Sequence, residues 1–234
     1  MPRLQLTDRL VRDEILRVAP LVTRLTGWNL GLDGLGSRVL PKDRGYEEIV
    51  LGRLEQSGIR DGEELISGLL RRMVEYLVEQ NVLAAYMPVA EEILVIRENV
   101  DDSNLDGLRL VLVHELVHRG QHMAHRDLFA RTDALLRQAF ALLRSGEPAL
   151  LQIRQIMQEA QPIMTLLESH AAYIQRHMQA RFPEAHIESH FSLATLLMRL
   201  AGARKVAQYT DGLPQVAAAA TSGGVESLYA ELDG

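Results

Sequence analysis

Two histidines and a glutamate, His114, Glu115 and His118, interrupt the otherwise apolar run LRLVLVHELVHRG at residues 108–120. Burying such groups without partners costs roughly 2–7 kcal/mol each, and more for a charge. The folded protein must therefore supply a partner. Four residues apart on a helix, the two imidazoles stand about 40° apart and one turn along. Both can reach one tetrahedral ion at about 2.0–2.1 Å, and Glu115 can point at a water on that ion. HELVH is thus the HExxH pattern of zinc hydrolases. It predicts one Zn2+ as cofactor, with Glu115 as general base toward the zinc-bound water. Glu115 and His118 also spell Glu-x-x-His, but a di-metal carboxylate bundle needs a second such motif, and the chain has none.

A zinc hydrolase takes three protein ligands and keeps one position open. His122 lies eight residues after His114, about 12 Å along the axis of a straight helix, too far to converge. His125 would require the helix to break near Gly120. The HExxHxxGxxH pattern places glycine and histidine one residue away from where this chain has them; Gln121 and Ala124 stand there instead. The remaining candidates lie in LLESHAAYIQRH, residues 166–177. Glu168 and His170 are about 200° apart on a helix, so one of them faces the metal. His170 falls within the apolar arc of Ile163, Leu167 and Ile174, and Glu168 falls at its edge. Periodicity leaves the two open.

The elements that must position these groups are mostly helical. Apolar residues recur at helical spacing over 8–26, with Thr7 as cap and Gly27 as stop. Trp28, Leu30 and Leu32 alternate ahead of a glycine-rich turn and Arg38–Leu40, which predicts a hairpin. Helices are expected at 46–57 and 62–80, and a strand at 92–97 (EILVIR). Ser103 and Asp106 resemble a capping box, so the HELVH helix starts near Asn104. Further helices are expected at 127–144, 148–161, 163–181 and 190–201, with Pro162 breaking or kinking the chain between two of them. The expectation is one α+β domain over 1–234, mainly α with a small β-sheet. Within it, 1–64 forms an N-terminal helix plus hairpin and 65–234 the metal-site core.

HELVH, then ESHAAYI on a later helix, then RKVAQYTDG at 204–212 and GGVESLYAEL at 223–232 together resemble the zincin-like metal hydrolases labelled deazaflavin-coenzyme-biosynthesis-associated. The resemblance covers about residues 65–234. It implies a zincin-like metallopeptidase fold, with HExxH on a buried central helix and Glu168 as the third ligand in a gluzincin-like His114, His118, Glu168 site. Ser169 and His170 follow that glutamate where relatives often carry a small residue and an aromatic, and Ala172 stands where an acidic residue often follows. The group that orients a ligand histidine is then expected from elsewhere. His170, Tyr173, His177 and Tyr209 are candidates for stabilising an oxyanion or supporting the ligands, and Tyr209 and Lys205 lie in a family-specific stretch. The strand at 92–97 is a candidate for pairing with an extended peptide.

Composition narrows the function classes. Of 234 residues, 47% are hydrophobic and 24% charged, and the net charge is -6. That balance lacks the basic footprint of a nucleic-acid binder. There is no cysteine, which removes thiolate chemistry and cysteine-ligated zinc. No apolar run approaches the roughly 20 residues of a membrane span, and the N-terminal stretch is too charged for a signal-peptide core. The expected protein is a cytoplasmic zinc hydrolase acting on a peptide or small amide. The competing expectations are a catalytically inactive zincin-like domain that binds a partner, and a hydrolase of a non-peptide amide.

Overall fold

The computed structural model describes residues 5–56, 58–59, 68–100, 104–144, 150–185, 212–222 and 224–233. Helix α1 spans Asp8–Thr26, capped by the Thr7 side chain and closed by Gly27 at φ 75°. Strand β1 is Gly36–Leu40. A π-helical turn, Tyr46–Leu51, runs into the short helix α2, Gly52–Gln56. Helix α3 is Gly68–Asn81, followed by strands β2, Ala84–Met87, and β3, Glu92–Ile96. Then come α4, Leu105–Ala124; α5, Arg126–Arg144; and α6, Leu150–Gln179. Helices α7, Leu213–Ser222, and α8, Glu226–Asp233, complete the described chain. The protein is mainly helical with a small mixed sheet, an α+β arrangement.

The sheet has the order β1-β3-β2. β1 runs parallel to β3, with Val39 opposite Val95, and β2 runs antiparallel to it, with Tyr86 opposite Ile93. Both faces are covered. Ala84, Tyr86, Ile93 and Val95 join the core made with α1 and α4. Ala85, Met87, Leu94 and Ile96 join a second core with Tyr46, Ile49, Leu54, Val74 and Val78. Burial on both sides explains why EILVI is continuously apolar rather than alternating.

Three expectations are corrected. Residues 28–40 form no hairpin, because Trp28–Leu32 is not a strand and β1 pairs with the distant β3. The 28–32 segment is held instead by side chains from α4. β3 is the central strand, so an added peptide strand cannot pair with it; the edges are β1 and β2. Pro162 neither ends nor splits the helix, since α6 runs through it. Pro162 and Gln158 are both exposed, so water can serve the Gln158 carbonyl that the proline leaves without an N–H donor. The α4 cap is Asn104, whose side chain accepts from the Asp106 and Gly107 amides at 2.9 and 3.3 Å. Ser103, the expected capping residue, lies outside the described residues, as does the helix expected at 190–201.

α4 packs most extensively against α6 and α1, and α6 also lies along α5. Thirteen of the twenty α4 residues are buried, which makes it the central helix. Glu14 of α1, itself buried, accepts from Arg109 of α4 at 2.7 Å and ties the two together. Gly120 permits a close approach of the 28–32 segment: a Cβ there would stand 2.6 Å from Trp28 Cε3.

Candidate metal centre

His114 and His118 project from one face of α4 and meet Glu168 from α6. The two Nε2 atoms are 3.1 Å apart. The Glu168 oxygens lie 3.5 Å from His114 Nε2 and 3.4 Å from His118 Nε2. Tetrahedral bonds of about 2.0–2.1 Å require donor atoms roughly 3.3–3.4 Å apart, so the triangle has the size of three ligand positions on one ion. Among the described residues, this is the group of His, Asp or Glu side chains able to hold a metal.

The donor chemistry fits as well. The Gln121 amide nitrogen donates to Leu167 O at 2.8 Å and to Tyr229 Oη at 2.9 Å. A carbonyl only accepts, so the Leu167 contact fixes which way the amide points. Gln121 Oε1 then faces His118 Nδ1 at 2.7 Å, which places a proton on Nδ1 and aims Nε2 into the triangle. An amide oxygen thus does the orienting expected of a carboxylate. Burial opposes charge on His118, but Glu168 outweighs it and lifts the imidazole pKa to about 9. Burial likewise works to raise the Glu168 pKa, and the two histidines overcome it, holding the carboxyl well below the usual range. The site favours positive charge at its centre.

Glu115 is buried next to this group and accepts from the backbone N–H of Tyr86 at 2.7 Å. That amide points away from β3, along the outer edge of β2. Glu115, His118 and Glu168 line a cleft whose remaining walls include Ala84–Pro88, Arg53, Phe129, Leu136 and Met164.

The other sequence candidates have different positions. His170 is buried but turned from the triangle. Its Nδ1 accepts from Tyr229 Oη at 2.9 Å, and its ring meets Trp28 edge-on at 5.1 Å. Burial, followed by the charge of His118, pushes its pKa down to about 4. Tyr173 rests against His177, 4.3 Å between ring centres, and does not line the cleft. His122 Nδ1 lies 2.9 Å from Tyr86 Oη, and His125 stacks on Tyr229 at 4.0 Å; neither joins the triangle. Tyr209 and Lys205 lie outside the described residues.

Sequence reasoning missed four residues that shape the site. Tyr86 sits in AAYMP, an apolar stretch that reads as a continuation of the preceding helix. Gln121 was met only as a mismatch to another histidine pattern. Tyr229 and Arg53 reach the site from elements far along the chain. Only GGVESLYAEL gave any signal, through the resemblance. No family model, curated protein or solved structure matches the chain. No helix among the described residues is long and apolar enough to cross a membrane.

Proposed function

We propose that this chain is a zincin-like zinc hydrolase that cleaves amide bonds in peptides. The carrying observation is the Glu115 carboxylate, held on the Tyr86 amide in a cleft that also exposes His118 and Glu168. His114, His118 and Glu168 would hold the ion. When bound, zinc supplies Lewis acidity, lowering the pKa of water and polarising an amide carbonyl. Glu115 takes the proton released by the attacking water and returns it to the leaving amine nitrogen. The Tyr86 N–H fixes the carboxylate for both transfers without adding a formal charge. An extended substrate fits along β2, which is the edge strand beside the site, and its backbone can pair there as an added strand.

The test is Glu115→Gln, a change that keeps shape and leaves the three ligands in place. One equivalent of zinc in both proteins, with hydrolysis of a peptide library lost by about 100-fold or more in the variant, supports the reading. Equal peptide turnover in the two proteins, or no zinc uptake by either, would overturn it.

A further inference from the structure

The cleft holds a charged side chain that the reaction above does not use. Arg53, from α2, lies on the wall formed by α2, α5 and β2. Its side chain is only 12% exposed. Nη2 donates to Asp133 Oδ1 of α5 at 2.7 Å, while Nη1 is buried and has no hydrogen-bond partner. Among the described residues, no other arginine or lysine lines the cleft. The carboxylates that line it, Glu115 and Glu168, belong to the reaction centre, and the Thr132 hydroxyl is committed to Leu128 O at 2.8 Å. His118 belongs to the reaction centre as well, the Tyr86 hydroxyl is held by Arg119 at 2.9 Å, and the other lining residues are apolar.

From this arrangement we propose that Arg53 is the carboxylate-recognising residue of the cleft, and that the substrate is a peptide or N-acyl amino acid bearing a carboxylate near the bond cleaved. The proposal rests on the zinc-hydrolase reading, because it takes the scissile amide to lie over Glu115 and the histidines.

A purely structural ion pair between α2 and α5 is the alternative, and the geometry disfavours it. A guanidinium has five donors in a planar fork suited to two-point contact with a carboxylate. Asp133 occupies one end of that fork and fixes its plane, leaving the other end without a partner. A buried N–H left unsatisfied costs about 1–3 kcal/mol, and apolar residues would join two helices without it. Burial lowers the Arg53 pKa from its ordinary value, and Asp133 offsets this only in part. The cation is therefore short of negative partners, and an incoming carboxylate would supply one. Away from His118, Glu115 and Glu168 the lining is largely apolar, so an anionic group outside the reaction centre finds its partner at this wall.

The experiment uses the zinc-loaded full chain and three thiol probes, whose sulfur anchors on the metal: mercaptoacetyl-leucine, mercaptoacetyl-leucinamide, and mercaptoacetyl-glutamic acid α-amide. Binding to wild type, Arg53→Met and Arg53→Lys is followed by calorimetry. Wild type should bind one of the carboxylate probes roughly 10–100-fold more tightly than leucinamide. Preference for mercaptoacetyl-leucine identifies a terminal carboxylate, and preference for the glutamyl probe an acidic side chain. Arg53→Met should lose that preference while binding leucinamide as wild type does. Arg53→Lys should keep a few-fold of it, and it supplies the comparison if the methionine variant does not fold. No carboxylate preference in wild type, or the same preference in Arg53→Met, would overturn the proposal and leave the metal reading standing. Failure of all three probes to bind would remove the metal reading, and the carboxylate site with it.

Discussion

Two adjacent residues of α4, His118 and Arg119, belong to two polar clusters of opposite construction. Arg119, 2% exposed, brings its own cation to four acceptors: Leu30 O, Gly31 O, Tyr86 Oη and Glu91 Oε2, all at 2.9–3.0 Å. His114, His118 and Glu168 instead converge three acceptor-capable atoms on a point between them. The first cluster is complete within the chain and pins the 28–31 segment and the β2–β3 turn to α4. The second has the geometry to hold a cation at its centre. The contrast shows what a sequence motif can report. A buried arginine predicts neutralisation by chain atoms, whereas two histidines and a glutamate with imidazole nitrogens facing inward predict a ligand from outside.

The sharpest way to break this contrast is His118→Ala. Zinc content should fall from one equivalent to none by mass spectrometry, because a catalytic site has three protein ligands and the variant keeps two. Next comes Arg119→Met, which leaves two carbonyls and a tyrosine short of a donor. Denaturant unfolding should show a loss of about 3–5 kcal/mol, with zinc stoichiometry unchanged. A loss of zinc instead would mean that the two clusters are not independent.

A pH series separates the clusters further. His170 is neutral when folded, with its pKa down at about 4 against about 6.5 for an unfolded histidine. The stabilising effect is present above pH 6.5. It is lost as pH falls from there toward 4, where the unfolded chain binds the extra proton, and it amounts to about 2–4 kcal/mol. In His170→Gln that acid-side slope should flatten. The smallest expected effect is Gln121→Leu, which frees His118 Nδ1 from its acceptor. Zinc affinity should weaken by about 10–100-fold in a competition titration with a chelator, without loss of stoichiometry.

The legible parts of this protein were those written in local spacing. HELVH placed His114 and His118 of the triangle, and Glu115 beside them, within five consecutive residues, and the capped 3.6-residue pattern gave α1, α5 and most of α4. The third member of the triangle was half legible. Glu168 and His170 are both buried because α6 is covered by α4 on one side and α5 on another, so a single apolar arc could not decide between them. The sheet was the least legible. β1 finds β3 across more than fifty residues, and β2 is apolar on both faces and merges by composition with the helix before it. The alternation at Trp28, Leu30 and Leu32 mimics a strand, yet those side chains pack onto α4, where Gly120 makes room for the indole. Arg53 could not be singled out, since one arginine in a charged stretch carries no pattern of its own.

The Tyr229–Gln121 hydrogen bond spans 108 residues of sequence, and that distance has a temporal meaning. At about 5–20 residues per second, the ribosome completes HELVH roughly 5–20 s before α8 exists. During that interval the nascent chain holds both histidines of the motif but not the tyrosine that fixes Gln121, and through it the His118 ring. In the zinc-hydrolase reading, full metal affinity would therefore be acquired late in biosynthesis. A ribosome-bound chain halted before α8 should take up zinc more weakly than one released after it.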